Sequence, residues 1–104
     1  EGQIGQIAYA ASKGGVVGLT LPAARDLATL KIRVNTIAPG LVKTDFAKAL
    51  WDDPKYLEKR LATAPLRRIG EPDDVAGCVV FLASDLSKYL TGVTLDVNGG
   101  MLIH

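Results

Sequence analysis

The hydrophobic positions of this chain change period several times, and each change marks a new element. From about Ile7 to Leu30 the apolar residues Val17, Leu21, Ala24, Leu27 and Ala28 recur at spacings of three and four, which predicts a helix. Glu1 to Gln6 reads as a Gly-containing loop ahead of it. The helix is unusual in holding Gly14, Gly15, Gly18 and Pro22. A helix-interior Gly costs about 1 kcal/mol relative to Ala, and a Pro roughly 3 kcal/mol. Small residues permit close approach of another backbone, so a tightly packed partner is expected on this face. Pro22 is expected to bend or divide the helix.

Lys31 to Ala38, with Ile32, Val34, Thr36 and Ile37 β-branched and Pro39-Gly40 as the stop, reads as a strand. Asp45 to Leu50 reads as a short helix. Asp53-Pro54 is an N-cap followed by Pro at the first helical position, opening a helix to about Leu61. Ala62 to Gly70 is a loop. Glu71-Pro72-Asp73-Asp74 starts another helix with acids in its first turn, running to about Ser84. Val93 to Val97 is a second strand, closed by Asn98-Gly99-Gly100.

This order makes the chain α/β, with two strands and about four helices. Strands joined through helices pair in parallel, and parallel sheets are covered on both faces. Two strands cannot supply such a sheet. Further strands are therefore expected from a missing segment or from a companion chain.

Composition narrows the class. In 104 residues, 48% are hydrophobic and 22% charged, which is globular rather than disordered. A net charge of +1 with interspersed signs gives no footprint for nucleic acid or an acidic membrane. Arg67-Arg68 reads as a solvated turn. The one cysteine, Cys78, lies in an apolar run, as a small buried hydrophobe does. No Cys/His cluster suggests a metal, and no apolar run reaches membrane-spanning length. A cytoplasmic location fits these features. The first residue, Glu1, is not Met, which suggests a processed chain or a fragment.

The chemistry begins with Tyr9-Ala10-Ala11-Ser12-Lys13. Residues i and i+4 share a helix face, and a nearby ammonium stabilises a phenolate. The spacing is short, and taken alone it fits a structural Tyr as well. Pro39-Gly40 ends a parallel strand where α/β sheets bind ligands, though it is also an ordinary turn. Phe46, Leu50, Trp51 and Leu57 could line an apolar pocket or form the buried stripe of two short helices.

Four segments in order resemble one family. Tyr9-Ala10-Ala11-Ser12-Lys13-Gly14-Gly15-Val16-Val17-Gly18 is similar to the catalytic helix of the short-chain dehydrogenase/reductases. Ile32-Arg33-Val34-Asn35-Thr36-Ile37-Ala38-Pro39-Gly40-Leu41-Val42-Lys43-Thr44 resembles its sixth strand and cofactor loop. Pro65-Leu66-Arg67-Arg68-Ile69-Gly70-Glu71-Pro72-Asp73-Asp74-Val75-Ala76 resembles its penultimate helix entry. Phe81-Leu82-Ala83-Ser84-Asp85, Tyr89-Leu90-Thr91-Gly92 and Asp96-Val97-Asn98-Gly99-Gly100 resemble its ending.

The resemblance implies the C-terminal portion of one Rossmann-like, doubly wound, NAD(P)-binding domain, with its N-terminal half absent. Tyr9 would exchange the proton at the substrate oxygen, and Lys13 would lower the Tyr9 pKa and bond the nicotinamide ribose. Pro39, Gly40, the backbone near Val42 and the Thr44 hydroxyl would hold the nicotinamide amide and a phosphate. Phe46, Leu50 and Trp51 fall in the family's variable substrate loop. The substrate would be a small secondary alcohol or ketone, first a 3-hydroxyacyl or 3-oxoacyl thioester, with a sugar or other alcohol as rival. A homo-oligomer, tetramer or dimer, would be the assembly. The tail Met101-Leu102-Ile103 would pack on a neighbouring subunit, and His104 reads as a solvated end.

The family's Gly-x-x-x-Gly-x-Gly fingerprint and its Asn-Ala-Gly segment do not occur in the 104 residues. None of the eight residues before Tyr9 is Ser, and Ser12 does not match the family's catalytic Ser. The residue choosing NAD or NADP falls outside these segments. The chain alone is therefore expected to be inactive. A non-catalytic oligomerisation module, or a proteolytic remnant that still assembles, is the alternative.

Overall fold

The computed structural model describes residues 2–45 and 48–100; within these, the side chains of residues 2–6, 9, 10 and 50 lie outside the description. The chain divides into two compact units, Glu1–Thr36 with Lys88–Leu95, and Ile37–Ser87 with Asp96–His104.

The first unit is built on helix α1, Gly2–Leu27. It begins earlier than the sequence pattern predicts, because extending a formed helix adds one hydrogen bond per residue without a new nucleus. Pro22 does not divide it. The missing proline N–H removes only the bond to the Gly18 carbonyl. A Cβ added at Gly14, Gly15 or Gly18 would meet nothing within 4 Å among the described atoms. The partner expected on that face is not supplied by this chain's described residues.

A 3-10 turn, Ala28–Leu30, ends the helix. Lys31 then adopts φ 61°, its N–H donates to the Ala28 carbonyl at 2.9 Å, and the Ile32 N–H donates to the Leu27 carbonyl at 3.2 Å. This bond pair is a Schellman cap with a lysine where glycine is favoured. The predicted strand therefore cannot begin at Lys31.

Strand β1 is Thr36–Pro39 and strand β2 is Thr94–Val97. They pair in parallel, with the Thr36 N–H on the Val93 carbonyl and the Gly40 N–H on the Val97 carbonyl, both at 2.9 Å. Ahead of β1, side chains take over from the backbone ladder. The Asn35 carboxamide donates to the Leu90 carbonyl at 3.2 Å and accepts from the Val93 N–H at 3.1 Å. The Thr91 hydroxyl accepts from the Val34 N–H at 3.1 Å. Gly92 has φ 77°, and a Cβ there would sit 2.9 Å from the Leu21 side chain. Glycine is the residue that meets both demands.

The second unit carries α2 (Lys48–Trp51), α3 (Pro54–Thr63), α4 (Pro72–Ala83) and a 3-10 turn at Asp85–Ser87. Asp53 caps α3, accepting from Lys55 N–H at 3.0 Å and Tyr56 N–H at 3.4 Å, as the Asp-Pro start predicts. The α4 start is also as predicted: the Asp74 carboxylate reaches back to the Glu71 N–H at 2.7 Å.

The interior is thin. Among the described residues the only buried apolar side chains are Ala24 and Ala64, while Leu19 is 65% exposed, Val80 67% and Leu86 84%. Water-exposed aliphatic surface on this scale forfeits the main driving force for folding. The expectation that two strands need further protein around them rests on this surface as well as on pattern. Cys78 is half-buried, with its thiol 3.4 Å from the Asp74 carbonyl.

Candidate functional site

The residues singled out by sequence lie in both units. In the first, α1 is unbroken from Gly2 to Leu27, so Tyr9 and Lys13 stand four residues apart on one continuous helix. Lys13 is half-buried; the Tyr9 side chain lies outside the described residues.

In the second unit, the loop after β1 is held from several directions. Val42 forms an isolated parallel bridge with Gly70. Lys43 N–H donates to the Gly70 carbonyl at 2.7 Å, and Gly70 N–H donates to the Leu41 carbonyl at 2.9 Å. In such a bridge the flanking residues carry the cross-strand bonds, which leaves the Val42 N–H on the opposite edge of the loop. Thr44 N–H turns back onto the Val42 carbonyl at 2.8 Å, a γ-turn. The Trp51 indole N–H donates to the Thr44 carbonyl at 2.8 Å, and the Lys43 ammonium lies 5.0 Å from the centre of the Trp51 ring. Pro39, Gly40, Val42, Thr44 and Trp51 are thus gathered in one unit. Phe46 and the Leu50 side chain lie outside the described residues.

Gly40 sits close against Asn98: a Cβ there would lie 3.0 Å from the Asn98 Cβ and 3.1 Å from its Cα, tighter than ordinary contact. The Pro-Gly turn is therefore fixed by close approach to the end of β2. A cavity of about 470 Å³ opens beside it, walled by Leu41, Leu61, Leu66 and Ile69, with Arg60 and Arg68 at its edge. Among the described residues no group of His, Cys, Asp and Glu could hold a metal ion, and no helix is long and apolar enough to cross a membrane.

Gly70 was visible in the sequence only as part of a motif. Its pairing with Val42 is the feature the pattern does not show. The available signal was a glycine directly before the Glu71 cap of a helix, where two backbones can come close. Arg68 completes this corner with a two-pronged bond to Asp74, at 2.8 and 3.1 Å. The Arg68 guanidinium first, and the Glu71 N–H second, hold the Asp74 carboxyl at about 2, well below its ordinary value. A carboxyl whose folded pKa is depressed contributes stability that is complete above its unfolded pKa and is lost as pH falls through the folded one. Thermal unfolding should therefore separate wild type from Asp74→Asn at pH 6, and the gap should close as pH drops from about 4 toward 2. A gap of constant size down to pH 2 would show that the pair contributes nothing through its charge.

The comparisons with known proteins cover almost all of these residues. A family profile described as enoyl-(acyl carrier protein) reductase matches residues 2–102. The chain belongs to the short-chain dehydrogenase/reductase family. Among curated relatives, the 3-oxoacyl-[acyl-carrier-protein] reductase of Staphylococcus epidermidis is 52% identical over 100 residues, 96% of this chain and 40% of that protein. The corresponding reductase of Vibrio harveyi is 49% identical over the same length and shares. The chain thus spans about 40% of the curated relatives it matches. Among solved structures, the 3-oxoacyl-[acyl-carrier protein] reductase of Brucella melitensis aligns with TM-score 0.86 and 34% identity, covering 92% of this chain and 35% of that one. The 4-hydroxyisoleucine dehydrogenase, solved with NADH, aligns with TM-score 0.87 and 31% identity, covering 90% and 39%. The two-stranded parallel sheet and its helices are therefore part of a Rossmann-type fold, as the sequence predicts.

Proposed function

We propose that this chain is the catalytic-helix and cofactor-loop portion of an NAD(P)-dependent reductase that interconverts a 3-oxoacyl thioester and its 3-hydroxy form. The observation that carries this reading is the 52% identity over 100 residues with a 3-oxoacyl-[acyl-carrier-protein] reductase, a stretch covering 96% of the chain that carries the Tyr9–Lys13 helix and the Pro39–Thr44 loop. The arrangement of the loop suits a nicotinamide carboxamide. Its Val42 N–H faces away from Gly70, and its Thr44 lies two residues on, locked by the γ-turn.

In this reading the Tyr9 phenol gives its proton to the substrate carbonyl oxygen during reduction and recovers it from solvent. In the reverse direction the phenolate takes the hydroxyl proton. The Lys13 ammonium, one turn away, stabilises the phenolate and holds the ribose hydroxyls. Val42 N–H and Thr44 orient the carboxamide end, and Pro39-Gly40 keeps the loop close to β2. The nicotinamide supplies the hydride when bound. Phosphate and adenosine binding, and the hydroxyl that polarises the substrate, belong to the remainder of the enzyme. The exposed Val16 and Leu19 on α1 and Val79 and Val80 on α4 are surfaces for that remainder and for neighbouring subunits in a homo-oligomer.

The test is a hybrid enzyme in which this chain replaces the matching 100-residue segment of the Staphylococcus epidermidis reductase. It should oxidise NADH or NADPH, followed at the nicotinamide absorption band, when given a 3-oxoacyl thioester, and do so faster than with a sugar or a simple secondary ketone. A hybrid that prefers the sugar or ketone would overturn the thioester assignment.

A further inference from the structure

We infer that Trp51 is a latch on the cofactor loop, setting the position of Lys43 and Thr44, rather than a wall of the substrate pocket. The inference rests on the reading of that loop given above and adds to it a positioning residue. Trp51 is the only tryptophan of the chain and ends the one-turn helix α2. A four-residue helix is too short to be stable by itself; α2 packs against α3 and is tied to the loop through Trp51. Its indole N–H, a donor only, is spent on the Thr44 carbonyl at 2.8 Å. Its ring face carries the Lys43 ammonium at 5.0 Å. Both contacts run to the loop.

The loop is gripped from two sides. From one side comes Gly70, through Lys43 N–H to its carbonyl at 2.7 Å and its own N–H to Leu41. That grip is backbone to backbone and is kept when the Trp51 or Lys43 side chain is changed. From the other side comes Trp51, the grip that the sequence can tune. With Thr44 N–H on the Val42 carbonyl and Lys43 N–H on Gly70, the Thr44 carbonyl is a further main-chain handle, and the indole takes it. Releasing it frees the Thr44–Asp45 peptide to rotate, which loosens Thr44, one of the groups assigned to the carboxamide. The substrate loop that contains α2 and the cofactor loop are thereby mechanically joined. Loss of the latch weakens cofactor binding first.

The experiment compares wild type, Trp51→Phe and Lys43→Met in the hybrid reductase. Phe keeps the ring and removes the N–H donor; Met keeps the stem and removes the ammonium. Trp51→Phe should raise KM for NAD(P)H by about 3- to 10-fold, the loss of one hydrogen bond, with kcat and KM for the thioester changed less than about 2-fold. Lys43→Met should shift the same constant in the same direction by a smaller factor, about 2-fold. A second readout needs no turnover. The indole N–H cross-peak absent from the Trp51→Phe spectrum identifies Trp51, and it should move both in Lys43→Met and on adding NAD(P)H. The latch is overturned if Trp51→Phe raises the thioester KM alone, or if the indole resonance ignores both perturbations. Wild-type hybrid without thioester reduction but with the indole responses intact would instead overturn the substrate reading and leave the latch standing.

Discussion

Replacing Tyr9 with Phe in the hybrid reductase is expected to lower kcat by roughly 10²- to 10⁴-fold, the usual worth of a positioned general acid. KM for NAD(P)H should stay near wild type, because in the proposed reading the phenol acts on the reacting oxygen. The argument starts from α1. The helix is continuous from Gly2 to Leu27, so Tyr9 and Lys13 are separated by about 6 Å along the axis and share a face. A phenol is a poor acid or base near neutral pH unless its ionised form is stabilised, and an ammonium at that spacing does so. Lys13→Met should therefore lower kcat as well, and unlike Tyr9→Phe it should also raise the cofactor KM, since Lys13 is assigned to the ribose. Steady-state kinetics of the two variants separate these roles. Equal, small losses in both would mean that the pair is structural.

Much of this was legible in the residues because local chemistry decides it. Asp53-Pro54 and the Glu71-to-Asp74 start each specify a helix beginning through side chains that satisfy nearby N–H groups. The ends of β1 were not legible. Asn35 and Thr91 replace ladder bonds with side-chain ones across more than fifty residues of sequence, and periodicity carries no sign of that. The Lys31 cap left a weaker sign. The pair Leu27 and Ile32 has the spacing of the apolar contact that accompanies a Schellman motif, but the lysine hides the glycine that normally announces it. The tight hold on Gly14, Gly15 and Gly18 that their cost as helix residues led one to expect is not met by the described atoms.

For the site, the sequence named Tyr9, Lys13, Pro39, Gly40, Val42 and Thr44 by motif, and the last four lie in one unit of the structure. Trp51 was placed in the substrate loop, with a pocket wall and a buried stripe as its two readings. Its bond to the Thr44 carbonyl joins positions seven apart in the chain, a pairing that no spacing rule gives. Gly70 was hidden for the same reason: its partner Val42 is distant in sequence.

The second large effect concerns the chain by itself. Hydride transfer requires a cofactor held along its whole length, and in doubly wound folds the pyrophosphate sits on a glycine-rich turn at a helix N-terminus. No such turn occurs in these 104 residues. In the proposed reading the loop after β1 would address only the nicotinamide end, and the few contacts it offers would not offset the ordering cost of a dinucleotide. Isothermal titration of the purified chain with NADH and with NADPH, beside the hybrid reductase under the same conditions, is the most direct test. The account predicts saturable binding by the hybrid in the roughly 1 μM to 1 mM range usual for enzymes, and no saturation by the isolated chain up to its upper end. A saturable isotherm from the isolated chain matching that of the hybrid would contradict it.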